Sequence, residues 1–399
     1  MYSSRSLEEH SAYYVYSQKI LIDNIQLWFS LFPQIHPYYA VKCNNYRPLI
    51  DTMTTFGVGF DCASLEEINL VSEFSQKIIY ANPIKFSSHL RVIKHKNLMM
   101  TADCVDELVK IAHYYPQGHI LLRIAVDDSQ SVCRFNSKFG LIPQVDNLSH
   151  FFSTAKQLSL NIVGISFHVG SGCQSADCYS TALRMVKECF DFALQYQYQL
   201  SIVDIGGGFS TQQPLITHIA ETVNQTLSQL FDLKNITVIA EPGRFMAANA
   251  FDLYVTVIGK KVTFQESINK TSPTSPPANN GCDEVGVTGE DLLCESPLSS
   301  TKTIKYYVNN GVYGEFNCKI FDHVQFQFEC LPVVPPISSK TYPSTIFGPT
   351  CDSMDVIIEN VDMQELCLGD KICFKNMGAY TRVASTAFNG IPVAKVTHE

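Results

Sequence analysis

Eight short apolar runs, each followed by a segment of helical period, fill residues 36–250, and this alternation constrains the fold more than any other feature of the chain. The runs cover 38–42, 58–62, 78–82, 99–103, 120–126, 163–169, 202–205 and 236–241. Between them, stretches such as 65–71 and 105–111 space their apolar residues three and four apart, as a helix packed on one face does. Runs that are apolar almost throughout suit strands buried on both faces, as in a parallel sheet covered by helices. Eight such units predict a closed (β/α)8 barrel of the TIM type over 17–250.

Nearly every run ends in or beside a polar residue. In chain order these are Lys42, Asp61, Asn82, Asp103, Arg123, His168, Asp204 with Gly206, Gly207 and Gly208, and Glu241 with Arg244. The C-terminal ends of parallel barrel strands share one face, so residues far apart in sequence converge there on one pocket. A strand can end in a polar residue simply because it meets a loop. That explanation is much weaker for a full ring containing a lysine, an arginine, a histidine and a glycine triplet.

Beyond residue 250 the period changes to two. Runs at 251–258, 304–309, 316–321 and 371–374 predict antiparallel strands of a second, all-β domain over 251–399, of modified Greek-key type, with residues 1–16 as candidates to join it. Within it, 265–302 is rich in Ser, Thr, Pro, Gly and Asn and reads as a mobile insertion.

Composition narrows the function. A net charge of −9, with no cluster of lysine or arginine, argues against nucleic acid as a partner. Residues 1–14 lack the apolar stretch of a secretory signal, and no segment is apolar for long enough to span a membrane. The 14 cysteines include no C-x-x-C pair, so neither a zinc site nor a disulfide scaffold is expected, and reduced thiols of a cytoplasmic protein are.

Lys42 closes an apolar run. Burial lowers the pKa of an amine, which favours the free base and makes Lys42 a candidate nucleophile for a carbonyl, although a lysine at a strand end can also just reach water. The Gly206–Gly208 triplet after the seventh run lets backbone N–H groups approach an anion, and Arg244 after the eighth can add a forked charge. Ser171, on a glycine-flanked loop after the sixth, offers a hydroxyl. Glu241 beside such an anion site needs a positive partner: a protonated pyridine nitrogen, or Arg244 itself. Further on, Asp322 and Asp352 are acids suited to a distal ammonium, and Cys351 between Thr350 and Asp352 suits a proton donor better than a nucleophile. Both could equally be solvated turn residues.

The ordered motifs resemble those of the eukaryotic ornithine decarboxylases, fold-type III pyridoxal-phosphate enzymes of the alanine-racemase-like group. They are Tyr39-Ala40-Val41-Lys42-Cys43-Asn44, Gly59-Phe60-Asp61-Cys62-Ala63-Ser64, Ser166-Phe167-His168-Val169-Gly170-Ser171-Gly172, the Gly206 triplet, Glu241-Pro242-Gly243-Arg244, Gly311-Val312-Tyr313-Gly314, Gly348-Pro349-Thr350-Cys351-Asp352 and Met377-Gly378-Ala379-Tyr380. The resemblance runs from about residue 12 to about 390, apart from the insertion. It implies pyridoxal 5'-phosphate as cofactor, carried on the Lys42 amine, with His168 stacked on its ring and Glu241 at its nitrogen. Ser171, Gly206, Gly207, Gly208, Arg244 and Tyr380 would hold its phosphate, and Asp61 and Arg123 match further active-site positions. It also implies decarboxylation of L-ornithine to putrescine in polyamine biosynthesis by a head-to-tail homodimer. Cys351, as proton donor to Cα, and Asp352 would enter from the neighbouring subunit, Asp322 would come from the same one, and Lys138 and Asp355 match a pair bridging the interface.

Departures accompany the matches. The chain starts close to the first barrel segment, so the N-terminal strand that the family adds to its β domain is expected to be missing. Asn310 stands where the family usually has Asp, and Phe321 and Phe245 where it has Tyr. Two alternatives stay open: an arginine or lysine decarboxylase of the same family, or an inactive regulator resembling antizyme inhibitor. The segment 98–119 resembles the one by which the family binds antizyme, so an antizyme-type regulator is a candidate partner.

Overall fold

The apolar runs become strands because their side chains are buried on both faces. In Gly59–Cys62 and Ile78–Tyr80 every residue is buried. The computed structural model describes residues 11–266, 300–334 and 339–399. Its strands are, in chain order, β1 (Tyr13–Tyr16), β2 (Ile35–Ala40), β3 (Gly59–Cys62), β4 (Ile78–Tyr80), β5 (Met99–Ala102), β6 (His119–Arg123), β7 (Ser131–Cys133), β8 (Asn161–Ser166), β9 (Ser171–Cys173), β10 (Ile202–Asp204) and β11 (Thr237–Ala240). Parallel pairing closes β2, β3, β4, β5, β6, β8, β10 and β11 into a barrel, with β11 bonded back to β2. Each of the eight apolar runs contributes one strand. Tyr38, Ile79, Ala81, Leu121 and Ile239 form a small cluster separate from the main core; coming from several strands of the closed sheet, they fill its interior.

The helices follow the strands with local signals of their own. At Leu65–Ser72 the Ser64 hydroxyl accepts from Glu67 N (3.2 Å), and the Glu67 carboxylate accepts from Ala63 N (2.6 Å), a reciprocal cap. Val105–Tyr114 starts with Asp106 and Glu107, whose charges suit the positive end of the helix dipole.

A second sheet is built from β1 and the strands β12 (Phe251–Glu266), β13 (Ser300–Val308), β14 (Phe328–Leu331), β15 (Thr341–Phe347), β16 (Val356–Gln364), β17 (Lys371–Phe374) and β18 (Lys395–His398). It departs from the expectation of a purely antiparallel domain, because β13 pairs with β15, and β1 with β18, in parallel. More than thirty residues separate β13 from β15, enough for the crossover that a parallel pair requires. The expected absence of an N-terminal strand is also overturned: Tyr13–Tyr16 pairs with β12 on one side and β18 on the other.

The run 316–321 is not a strand. It forms a 3-10 turn, Glu315–Asn317, running into the helical turn Cys318–Phe321. Its alternating apolar residues mimic period two, but Asn317 Nδ2 bonds Gly314 O (2.6 Å) and Thr381 O (2.7 Å), which holds the tight turn. Phe316 is buried against Phe326 and Phe374, while Phe321 is 71% exposed. The Ser/Thr/Pro-rich stretch 265–302 lies outside the described residues except at its ends, where 265–266 and 300–302 pair in β12 and β13. No helix among the described residues is long and apolar enough to cross a membrane.

Candidate active site

One cavity of roughly 630 Å³ opens at the C-terminal ends of the barrel strands. Lys42, Arg123, His168, Ser171, Glu241, Asp322 and Tyr380 all line it. A smaller adjoining space is walled by Gly207, Gly208, Ser171, Arg244 and Tyr380.

Lys42 lies two residues beyond β2, in the 3-10 turn Val41–Cys43. Its Nζ is 2.5 Å from Asp61 Oδ2, on the neighbouring strand β3. Asp61 is fully buried, whereas 40% of the Lys42 side-chain surface remains accessible. Burial pushes the Lys42 pKa down, but Asp61, through its charge and its hydrogen bond, and Glu241 outweigh it and hold the amine above its ordinary value. The expected free base is therefore corrected: facing these acids, Lys42 is an ammonium.

Burial also governs its surroundings. It pushes the Asp204 carboxyl up to about 7, helped by Asp61, and raises Glu241 well above the usual carboxylate range, helped by Asp204 and Asp61. His168 is held well below its ordinary value by burial and by Arg123 and Lys42, so its ring is neutral; its Nδ1 accepts from Gly170 N (2.9 Å). Asp61 Oδ1 and Asp204 Oδ2 are buried without a hydrogen-bond partner. Of the three buried carboxyl groups beside Lys42 and Arg123, Asp61 and Asp204 each leave an acceptor unused, which suits a ligand that brings a cationic N–H to this end of the cavity.

The other end suits an anion. Gly206 and Gly208 have φ of +62° and +104°, and a Cβ at Gly206 would lie 2.2 Å from Phe167 O. A Cβ at Gly207 would lie 2.8 Å from His168 Nε2. The triplet thus presents bare backbone beside Arg244, whose Nη2 donates to Ser171 Oγ (3.1 Å) and to both oxygens of Asp322 (2.7 Å each). Arg244 pairs with Asp322 and not with Glu241. Tyr380, at φ +56°, places its ring 5.3 Å from the Arg244 guanidinium carbon.

Other residues singled out in the sequence lie elsewhere. Cys351 is exposed, with Sγ 3.8 Å from Asn389 Oδ1, and Asp352 accepts from Tyr313 Oη and from Met354 N (2.9 Å). Neither lines the cavity of its own chain. Asp355 is 1% exposed and accepts from Val312 N (2.8 Å) and Thr350 N (3.0 Å). A Cβ at Gly311 or Gly348 would lie 2.1 or 2.2 Å from its carboxylate, so those glycines make room for it. Within its own chain Asp355 anchors two turns, and the Lys138 ammonium lies 4.9 Å from the Phe139 ring. Asp103 leaves the ring as well, because its carboxylate accepts from Gly140 N (2.8 Å).

Sequence reasoning missed Glu67, Cys133, Phe135 and Phe139 in the cavity wall. Phe135 packs edge-on to His168 at 4.9 Å, and Cys133 Sγ lies 3.6 Å from Asp322 Oδ1. The Cys133 and Phe135 positions come from the short β7–β9 pairing, too brief to show a period. Glu67 carried a signal, a carboxylate six residues after Asp61, but served equally well as a helix cap.

A family model described as "Pyridoxal-dependent decarboxylase, pyridoxal binding domain" matches residues 19–248. The chain belongs to the pyridoxal-dependent decarboxylase family. Within this family it is 36% identical to the ornithine decarboxylase of Mus musculus over 96% of the chain and 80% of that protein. It is 37% identical to antizyme inhibitor 2 of Xenopus laevis over 98% of the chain and 81% of that protein. Among solved structures, the Paramecium bursaria Chlorella virus arginine decarboxylase bound to agmatine superimposes with a TM-score of 0.83 at 34% identity, over 98% of this chain and 96% of that one. The barrel of this decarboxylase is thus a pyridoxal-binding domain, and the two ends of its cavity, one acidic and one built for an anion, match a protonated pyridine and a phosphate.

Proposed function

We propose that the chain removes the carboxylate of L-ornithine as carbon dioxide, giving putrescine, the opening step of polyamine biosynthesis. Pyridoxal phosphate would be held in this cavity within a unit spanning 17–250, and 251–399 would form the second domain. The observation that carries the reading is Lys42, an ammonium 2.5 Å from Asp61 between a buried acidic end and an arginine-glycine anion cradle. When bound, the cofactor supplies a carbonyl for the amines and an electron sink for the charge left at Cα.

The chain's own groups do the remainder. Lys42 Nζ becomes a nucleophile only after losing the proton that its ion pair with Asp61 Oδ2 holds on it. Glu241 would hold the ring nitrogen and its proton, with Asp61 and Arg123 nearby. Neutral His168 offers an uncharged ring for stacking. Ser171 Oγ, the Gly206–Gly208 amides, Arg244 and Tyr380 would hold the phosphate. Asp322 would receive the substrate's distal ammonium, with Arg244 shared between it and the phosphate site. In a head-to-tail homodimer, Asp352 and Cys351 of the neighbouring subunit complete the site, and Cys351 Sγ delivers the proton to Cα. The exposure of that thiol and its place outside its own chain's cavity support a site shared between subunits.

Carbon dioxide release from ornithine, arginine and lysine, with and without added cofactor, tests the reading. Ornithine should give the highest kcat/KM. Preference for arginine or lysine would replace the substrate assignment. Release from none of the three by cofactor-loaded protein would favour a regulator, the reading to which the Xenopus laevis relative lends support.

A further inference from the structure

Lys85 is a fully buried lysine that takes no part in the site described above. Its side chain is 0% exposed, and its Nζ lies 2.9 Å from Glu107 Oε1. The same ammonium donates to Thr101 O (2.6 Å), Pro83 O (3.1 Å) and Asn82 O (3.3 Å). Glu107, itself 1% exposed, also accepts from the Lys85 backbone N–H (3.2 Å) and pairs with Lys110 (2.5 Å). One buried charge thus ties the loop after β4 to the end of β5 and to the first turn of the helix Val105–Tyr114. Ala81, Asn82 and Pro83, at the start of that loop, line the cavity.

Burying an ammonium is costly, and an apolar side chain of similar volume often serves stability as well or better. Removing carbonyls of Asn82 and Pro83 from the cavity surface, by contrast, needs a donor behind them. We propose that Lys85 is a positioning residue for the reaction: its ammonium draws the Asn82 and Pro83 carbonyls behind the wall and so sets the shape against which the substrate packs. The proposal rests on this cavity being the substrate site.

The strap responds to pH. Burial lowers the Lys85 pKa to about 8, against the opposing pull of Glu107 and Asp103, while Lys110 pushes in the same direction as burial. Also facing it is the Tyr80 ring of β4, 5.9 Å away, and His89 bonds that ring's hydroxyl (2.9 Å). A neutral amine has two N–H bonds for four acceptors and no attraction to Glu107, so the wall loosens as pH rises through 8.

The test uses the full-length, cofactor-loaded protein and its Lys85→Met variant. In the wild type, amide-exchange protection of Asn82, Ile84, Lys85 and Phe86, corrected for intrinsic rates, should fall about tenfold between pH 7 and pH 9. In the variant it should already be low at pH 7 and indifferent to pH, with KM raised about tenfold, kcat within about threefold and cofactor uptake unchanged. Protection that stays flat in the wild type, or a folded variant with wild-type KM, overturns the proposal. Should the variant not fold, the wild-type exchange profile decides alone. Because exchange needs no turnover, a protein that decarboxylates nothing would sink the proposed function while leaving the strap measurable.

Discussion

Lys42 Nζ lies 2.5 Å from Asp61 Oδ2, and this ion pair joins the turn after β2 to the adjacent strand β3. An amine held as ammonium by a fully buried carboxylate is a reserve of nucleophile that must be released before it can attack a carbonyl. Asp61→Asn lowers the Lys42 pKa by removing the first of the charges that raise it. At neutral pH the cofactor-free variant should therefore form its cofactor linkage several-fold faster, read in stopped-flow absorbance. Lys42→Ala should show no lysine-linked absorbance at all; survival of that band would rule out the assignment.

Arg244 and Asp322 neutralise each other in a site where Arg244 is 21% and Asp322 7% exposed. Asp322→Ala leaves the guanidinium without its main partner, which should cost the cofactor-free protein about 3 kcal/mol. Inorganic phosphate should recover part of that loss by occupying the same cation, and denaturant melts with and without phosphate measure both effects. Equal melts for variant and wild type would show that the pair contributes nothing.

Gly207→Ala should weaken cofactor binding by more than about tenfold, because a methyl group there meets His168 Nε2 at 2.8 Å and Glu241 O at 2.9 Å. Spectroscopic titration reads the effect directly. The φ of Gly207 is not in the left-handed region, so the backbone itself tolerates alanine and the protein should fold.

A shared site predicts complementation. Mixing equal amounts of inactive Lys42→Ala and Cys351→Ala chains should restore about a quarter of wild-type activity, since half the dimers are mixed and each carries one intact site. No recovery after subunit exchange would place Cys351 outside the site.

Two groups set opposite pH trends. His168 is neutral in the fold well below its ordinary value of 6.5, so the unfolded chain binds the extra proton first. Its contribution to stability is complete above pH 6.5 and lost as pH falls below it. Asp204, pushed from 3.8 up to about 7, behaves inversely: the folded state holds the proton between these values, and stability is lost as pH rises toward 7. In the cofactor-free protein, Asp204→Asn should therefore raise the thermal midpoint above pH 7, and His168→Gln should flatten the loss below pH 6.5. Melts across pH 4–8 distinguish these outcomes from a uniform shift.

The sequence alone determined the barrel, because eight buried parallel strands need continuous apolar runs and their helices need a three-four spacing, both local and repeated signals. It also brought Lys42, Arg123, His168 and Glu241 to the cavity, since ending a strand at Ala40, Arg123, Ser166 or Ala240 places the next few residues on one face of a closed sheet, while Glu67, Cys133, Phe135 and Phe139 escaped it. Tertiary structure decided the rest. The helical turns at Glu315–Phe321 depend on Asn317 bonding Thr381, 64 residues away, which no window of sequence contains. The parallel partnership of β1 with β18 joins the two ends of the chain. The charge on Lys42 is settled by Asp61 first and then Glu241, from two other strand ends, against a burial that pulls its pKa the other way. Periodicity reports what each residue's neighbours in sequence require, whereas protonation, turn geometry and the inward role of Asp355 depend on groups that only folding brings within a few ångströms.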